Sequence, residues 1–173
     1  MNIFRNKYFS IVWNILRVWL GFQWITAAME KVASPVWVGP KAGVALTGFL
    51  QGAVAKAAGE HPSVQSWYAA FVKNVALPQA KVFSFMVSYG ELLVGIGLIL
   101  GTLTTVALLA GAFMNLNYML AGTTSTNPIL YTVAIILLAV GSSAYTIGGD
   151  RFLMPFIKKN LGPAPANGKW GKR

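Results

Sequence analysis

The 173-residue chain is 55% hydrophobic and only 10% charged, carries a net charge of +10 and has no cysteine. An average soluble domain is about 25% charged, so water is the wrong solvent for this composition. Disulfides, thiolate metal sites and thiol nucleophiles are excluded, and the lone histidine, His61, cannot form a bis-histidine haem site within one chain.

The length suits one domain, residues 1–173. Most basic residues lie in the tails and in the loop before Lys81, without aromatic-basic interleaving. That distribution is the signature of membrane topology rather than of a nucleic-acid partner. No group of metal-ligating residues stands out, so no metal is expected.

The first apolar span runs from about Ile11 to Ala33. Arg17 interrupts it, which argues for a retained helix rather than a cleaved leader. Arg17, Gly21, Trp24, Ala28 and Lys31 recur on a single helix face. Arg17 and Lys31 are roughly 21 Å apart along the axis. Arg17 is thus expected towards the inner side, and Lys31, beside Glu30, at the outer boundary, where its ammonium can reach the headgroups.

Residues 34–81 form an extracytoplasmic insert rather than a span. Val44, Leu46, Phe49, Leu50, Ala53, Val54 and Ala57 recur at helical spacing, as do Val64, Trp67, Tyr68, Phe71, Val72 and Val75 after a capping Pro62-Ser63. Two amphipathic helices at the outer surface are predicted, capping the bundle or dipping into the headgroups. An ordinary soluble helical hairpin has the same periodicity.

Spans follow at about Val82–Gly101, Thr104–Ala121 and Ile129–Ile147, joined by the turns "GTLTT" and "GTTSTNP". The second span holds Glu91 near its middle. A carboxylate in hydrocarbon needs a proton or a partner, and Arg17 is the expected counter-charge. Asn115 and Asn117 lie on different faces of the third span. Asn115 can bond a ligand carbonyl or another helix. Trp24, Tyr89 and Tyr118 supply aromatic walls for a ligand or simply pack.

After Asp150 and Arg151 the chain becomes basic and rich in Pro and Gly, and residues 158–173 read as a flexible tail near anionic lipid. The Lys/Arg bias places both tails in the cytoplasm and His61 outside. The expected fold is all-α: a polytopic four-span membrane bundle carrying two amphipathic helices in its first outer loop.

These motifs resemble a known family. Arg17, Gly21 and the "EK" at Glu30-Lys31, "GELLVGIGLILG" from Gly90 to Gly101, "MNLNYMLAGTTSTNP" from Met114 and "IGGDRFLMP" from Ile147 occur in the order seen in the DoxX/DoxD-like membrane proteins. The insert "LTGFLQGA…HPSVQSWYAAFV" resembles that of longer members. Gly149 departs from the larger apolar residue often found there.

The resemblance implies a four-helix membrane bundle in a prokaryotic cell membrane. It carries the family's polar positions onto Arg17, Lys31, Glu91, Asn115, Asp150 and Arg151. Family members include the DoxD subunit of thiosulfate:quinone oxidoreductase, so the expected function is that of a quinone-linked redox-complex subunit. In that reading Glu91 and Arg17 are catalytic, and Asn115, Trp24, Tyr89 and Tyr118 bind the quinone. Lys31 attracts an anionic substrate such as thiosulfate, and Asp150 and Arg151 form a structural motif. The expected partners are the bilayer, a second redox subunit or oxidase, and further copies of the chain. A non-catalytic scaffold or assembly subunit of an oxidase or thiol-redox complex is the alternative. A small-molecule transporter is the third class, although no inverted repeat supports it.

Overall fold

A computed structural model describes residues 7–161, which are helical throughout the regular elements, with no strand among them. Seven helices follow in order: α1 (Lys7–Val32), α2 (Val44–Ala55), α3 (Ser66–Phe71), α4 (Ala80–Leu100), α5 (Thr104–Leu120), α6 (Asn127–Val140) and α7 (Asp150–Leu161). α3 runs into a π-helical turn, Val72–Ala76, and α6 into a 3-10 turn, Gly141–Tyr145.

Among the described residues, two elements are long and apolar enough to cross a membrane, α4 and the continuous Asn127–Tyr145 segment. α5 has 17 residues, roughly 26 Å of helix, a little less than the hydrocarbon thickness of about 30 Å.

Glycines set the turns. Gly101 ends α4 in the left-handed region at φ 63°, and the Thr102 N–H returns to the Gly97 carbonyl at 3.0 Å, the closure expected of a left-handed C-terminal cap. Gly122 ends α5 similarly at φ 73°, with Thr123 N–H donating to the Tyr118 carbonyl. Pro128 lies in the first turn of α6, where its missing N–H removes no helical bond.

α1 and α4 pack antiparallel with their backbones close together. A Cβ built on Gly21 would lie 3.1 Å from the Gly95 carbonyl oxygen, and one on Gly95 would lie 2.9 Å from the Ile25 nitrogen. Small residues at a crossing permit this approach. Around it, Leu20, Trp24, Val94, Leu98, Leu108 and Leu137 form one core joining α1, α4, α5 and α6.

A second core, with Leu46, Leu50, Val64, Tyr68 and Val72, holds the insert against Ala121 and one end of the bundle. The insert is therefore a roof on the bundle. Tyr68 donates from its hydroxyl to the Asn117 carbonyl at 3.0 Å, and Lys56 Nζ to the Gly122 carbonyl at 2.9 Å. Burial holds the Tyr68 phenol above its ordinary titration range, which keeps it a donor. The Pro62-Ser63 start is corrected: α3 begins at Ser66 after Gln65, because Ser63 and Val64 donate their N–H groups back to the Lys56 carbonyl and close a turn instead.

The bundle exposes apolar stripes and buries a few polar side chains beside its apolar core. On α4 the exposed stripe is Val82, Met86, Tyr89, Leu93, Ile96 and Leu100, while Ser84, Ser88 and Glu91 are buried on the opposite face. Leu93 is 68% exposed and Phe113 on α5 is 67% exposed, yet Glu91 and Asn115 are each 1% exposed.

At the other end of the bundle, Asp150 links the last helix to the α4–α5 turn. Its carboxylate accepts the N–H groups of Leu103 at 2.7 Å and Thr104 at 2.8 Å, capping α5 from 46 residues away. Leu103 itself is held at φ 49°, a conformation that costs a non-glycine residue about 1–2 kcal/mol. Gly149 and Asp150 also donate backbone N–H groups to the carbonyls of Leu100 and Gly101. The Asp150 half of the expected structural motif thus has a definite role, whereas the Arg151 side chain is exposed. The backbone of α7 continues to Leu161; the remainder of the tail expected at 158–173 lies outside the described residues.

Candidate functional site

Where the roof-side ends of α1, α5 and α6 meet the roof, a cavity of about 380 Å³ opens. α1 contributes Trp24 and Lys31, α4 Glu91, and α5 Asn115 and Tyr118, and the roof adds Trp37 and Phe49. Five of the residues singled out in the sequence therefore converge: Trp24, Lys31, Glu91, Asn115 and Tyr118.

Glu91 is the hub. Lys31 Nζ lies 2.8 Å from its Oε2, and the Tyr118 hydroxyl donates to its Oε1 at 2.7 Å. Lys31 also donates to the Ala27 carbonyl at 3.3 Å and stands 5.4 Å over the Trp37 ring. Both carboxylate oxygens thus have a donor, one of them charged, which is what a buried carboxylate requires.

The expected Glu91–Arg17 pair is not formed. The antiparallel crossing of α1 and α4 places Arg17 against Gly101 and Lys31 against Glu91. Glu91 and Gly101 are ten residues apart on one helix, roughly 15 Å, so no rotamer of Arg17 spans the gap. Arg17 is 2% exposed and donates from Nη2 to the Ile147 carbonyl at 2.8 Å, with Asp150 as its opposing charge. Glu91 lies midway along α4 and level with the C-terminal end of α1, where Lys31 stands. Lys31, expected to reach outward as an anion-attracting cation, instead neutralises Glu91.

Tyr89 is also displaced from its expected wall. It is 44% exposed on the outer stripe of α4, stacked on Phe85 with ring centroids 6.4 Å apart, and it does not line this cavity.

Asn115 is the unusual member. Its side chain lines the cavity and is 1% exposed, yet neither Oδ1 nor Nδ2 has a hydrogen-bond partner. The helix-to-helix bond open to it in the sequence is absent. Asn117, on another face, donates to the Phe113 carbonyl at 2.8 Å and accepts from Tyr68. An unmet buried amide costs about 1–3 kcal/mol, so Asn115 is built at a price that a ligand can offset.

The sequence reading did not assign Trp37, Phe49, Thr123 or Asn127 to the site, although all four line it. Trp37 and Thr123 lie in connecting segments, Phe49 within α2 and Asn127 at the start of α6, where polar and aromatic residues are unremarkable in one dimension.

Set against models of protein families, curated proteins and solved structures, the chain matches none.

Proposed function

We propose that this chain is an integral membrane subunit of a redox complex, and that its outer-end cavity binds the ring of a quinone. The exposed apolar surface supports the membrane setting: apolar stripes on α4 and α5 face outwards, while Ser84, Ser88, Glu91 and Asn115 are buried. Contiguous exposed apolar surface on this scale is costly in water and suited to lipid. In this reading α1, α4, α5 and the α6 segment are the four spans, the roof lies outside the cell membrane, and both termini are cytoplasmic. The ordered motifs resembling the DoxX/DoxD-like proteins point to the same class.

The single observation that carries the ligand reading is the unpartnered Asn115 amide beside the Lys31–Glu91–Tyr118 chain. The residues fit a quinone ring. Asn115 Nδ2 is a free donor for a carbonyl oxygen, and the Trp24 and Tyr118 rings offer faces for stacking. A bound quinone supplies two-electron acceptance coupled to proton uptake. The chain's own contribution is to orient the ring through Asn115 and to hold exchangeable protons at the Tyr118 hydroxyl and Lys31 ammonium around Glu91. Arg17, at the other end of the bundle, has a supporting role. With no cysteine, the oxidation of a sulfur substrate falls to a partner subunit.

The test is quenching of tryptophan fluorescence by a soluble quinone in purified protein reconstituted in nanodiscs. Saturable quenching that is reduced in Trp24→Phe and lost when Trp37, which lines the same cavity, is also replaced by Phe is expected, with affinity weakened about tenfold in Asn115→Leu, the worth of one hydrogen bond. Thiosulfate-dependent quinone reduction is then measured on the copurified complex. If Asn115→Leu binds quinone as well as the wild type does, the reading fails. A subunit that copurifies with an oxidase and binds no quinone would instead be a scaffold.

A further inference from the structure

A second cavity, of about 300 Å³, lies between the roof, α4 and α5. Its walls are apolar, with Leu50, Phe71, Phe83, Val87, Phe113 and Met114 among them. The few polar atoms it touches are already satisfied. Tyr68 donates to Asn117, the Asn117 amide donates to the Phe113 carbonyl, and the Tyr118 hydroxyl donates to Glu91.

This is the opposite of the first cavity, where Asn115 is unmet. A site with no free donor or acceptor gives water nothing to bond and is suited to an apolar occupant. One side faces outward between α4 and α5. The rim residues Met86 and Phe113 are 61% and 67% exposed, continuous with the apolar stripes. Gly90 and Ala110 also line the cavity and keep the gap between the two helices open. A Cβ on Gly90 would meet only Met114 Sδ, at 3.5 Å.

Leu46, Phe49 and Tyr118 line both cavities. The two are thus adjacent rooms, one polar and one apolar, divided by a wall that includes two aromatic rings packed edge to face at 6.3 Å.

We propose that the apolar room is a hydrocarbon-chain site, entered from the bilayer between α4 and α5 past Gly90 and Ala110. Its occupant is the chain of a membrane amphiphile whose polar end reaches the neighbouring room. The proposal rests on the membrane reading above, but the chain site does not require that the polar end be a quinone. An isoprenoid tail and a phospholipid acyl chain share the chemistry, and the test separates them.

Nanodisc-reconstituted protein is irradiated with a long-chain fatty acid bearing a terminal diazirine, and the labelled residues are mapped by mass spectrometry. Labelling is expected to concentrate on Phe83, Met86 and Met114. Each buried methylene is worth roughly fourfold in affinity. Gly90→Leu, which fills the room, should therefore lower labelling at least about tenfold, and Gly90→Ala only slightly. Ala110→Phe fills the room from the other helix and serves if Gly90→Leu does not fold. Competition by a long-tailed quinone, but not by its tail-less ring, identifies the isoprenoid source; competition by phospholipid alone identifies the acyl source. Either result supports the site. Labelling spread evenly along the outer stripe at Leu93 and Ile96, and unchanged by both filling variants, overturns it. Binding of the tail-less ring is measured in parallel, so loss of the quinone reading is seen separately from loss of the chain site.

Discussion

Replacing Lys31 by methionine tests the central pair directly. Lys31 Nζ is 2.8 Å from Glu91 Oε2, with side-chain exposures of 20% and 2%. Removing one member of a buried pair costs about 3–5 kcal/mol because the other is left desolvated and unpaired. The partial exposure of Lys31 puts Lys31→Met at the low end, about 3 kcal/mol. The reverse change is milder. In Glu91→Gln the amide still accepts from Lys31, the Tyr118 hydroxyl can turn to accept from the new NH₂, and Lys31 keeps its reach to water. That leaves a loss of about 1 kcal/mol, the difference between a charged and a neutral hydrogen bond.

Thermal unfolding in detergent, followed by helical circular dichroism, reads both. At roughly 3 °C per kcal/mol for a chain of this size, Lys31→Met should melt about 9 °C lower and Glu91→Gln about 3 °C lower. The Lys31→Met/Glu91→Gln double variant should lose less than the sum of the singles, whereas Arg17→Met combined with Glu91→Gln should be additive within about 0.5 kcal/mol. A larger loss for Glu91→Gln than for Lys31→Met, or strong coupling of Glu91 to Arg17, would refute the pairing and the register behind it.

Other outcomes follow from the same geometry. Asn115→Leu should raise the melting temperature by about 3–9 °C while weakening ligand binding, because it removes an unmet buried amide costing about 1–3 kcal/mol; a fall in melting temperature would show that the amide is satisfied in the protein. Asp150→Ala should cost about 2 kcal/mol by uncapping the Leu103 and Thr104 N–H groups, and Asp150→Asn less, on the same melting assay. Gly95→Ala should cost more than about 2 kcal/mol, since its Cβ would press on the Ile25 backbone, while Gly48→Ala, with nothing within 4 Å, should leave melting unchanged or slightly higher. Single cysteines at Ser63 and Asn167 should report topology in intact cells: an impermeant thiol reagent should label the first and not the second, and the reverse pattern would invert the orientation.

Much of the architecture was legible in one dimension because helix periodicity and glycine punctuation are local properties. The spans at Val82–Gly101 and Thr104–Ala121 agree with α4 and α5 to within two residues, since Gly101 and Gly122 stop them by their own left-handed backbone. The apolar face of α2 was equally readable from Leu46, Leu50 and Ala53. Glu91, Lys31, Asn115, Tyr118 and Trp24, which line one cavity, could be picked out as candidates because polar and aromatic groups in apolar helices need partners or purposes. Which partner each one finds is not a local property. It depends on the register at which α1 crosses α4, set by backbone contact at Gly21 and Gly95, and that register gives Glu91 to Lys31 and carries Arg17 to the far end. Nor does any periodicity show that Asp150 caps α5 across 46 residues, or that the insert folds down as a roof and divides the space beneath it into a polar and an apolar room. Those arrangements arise only when distant helices close on one another, because long-range contacts and the cavities between them belong to the packing and not to any one segment.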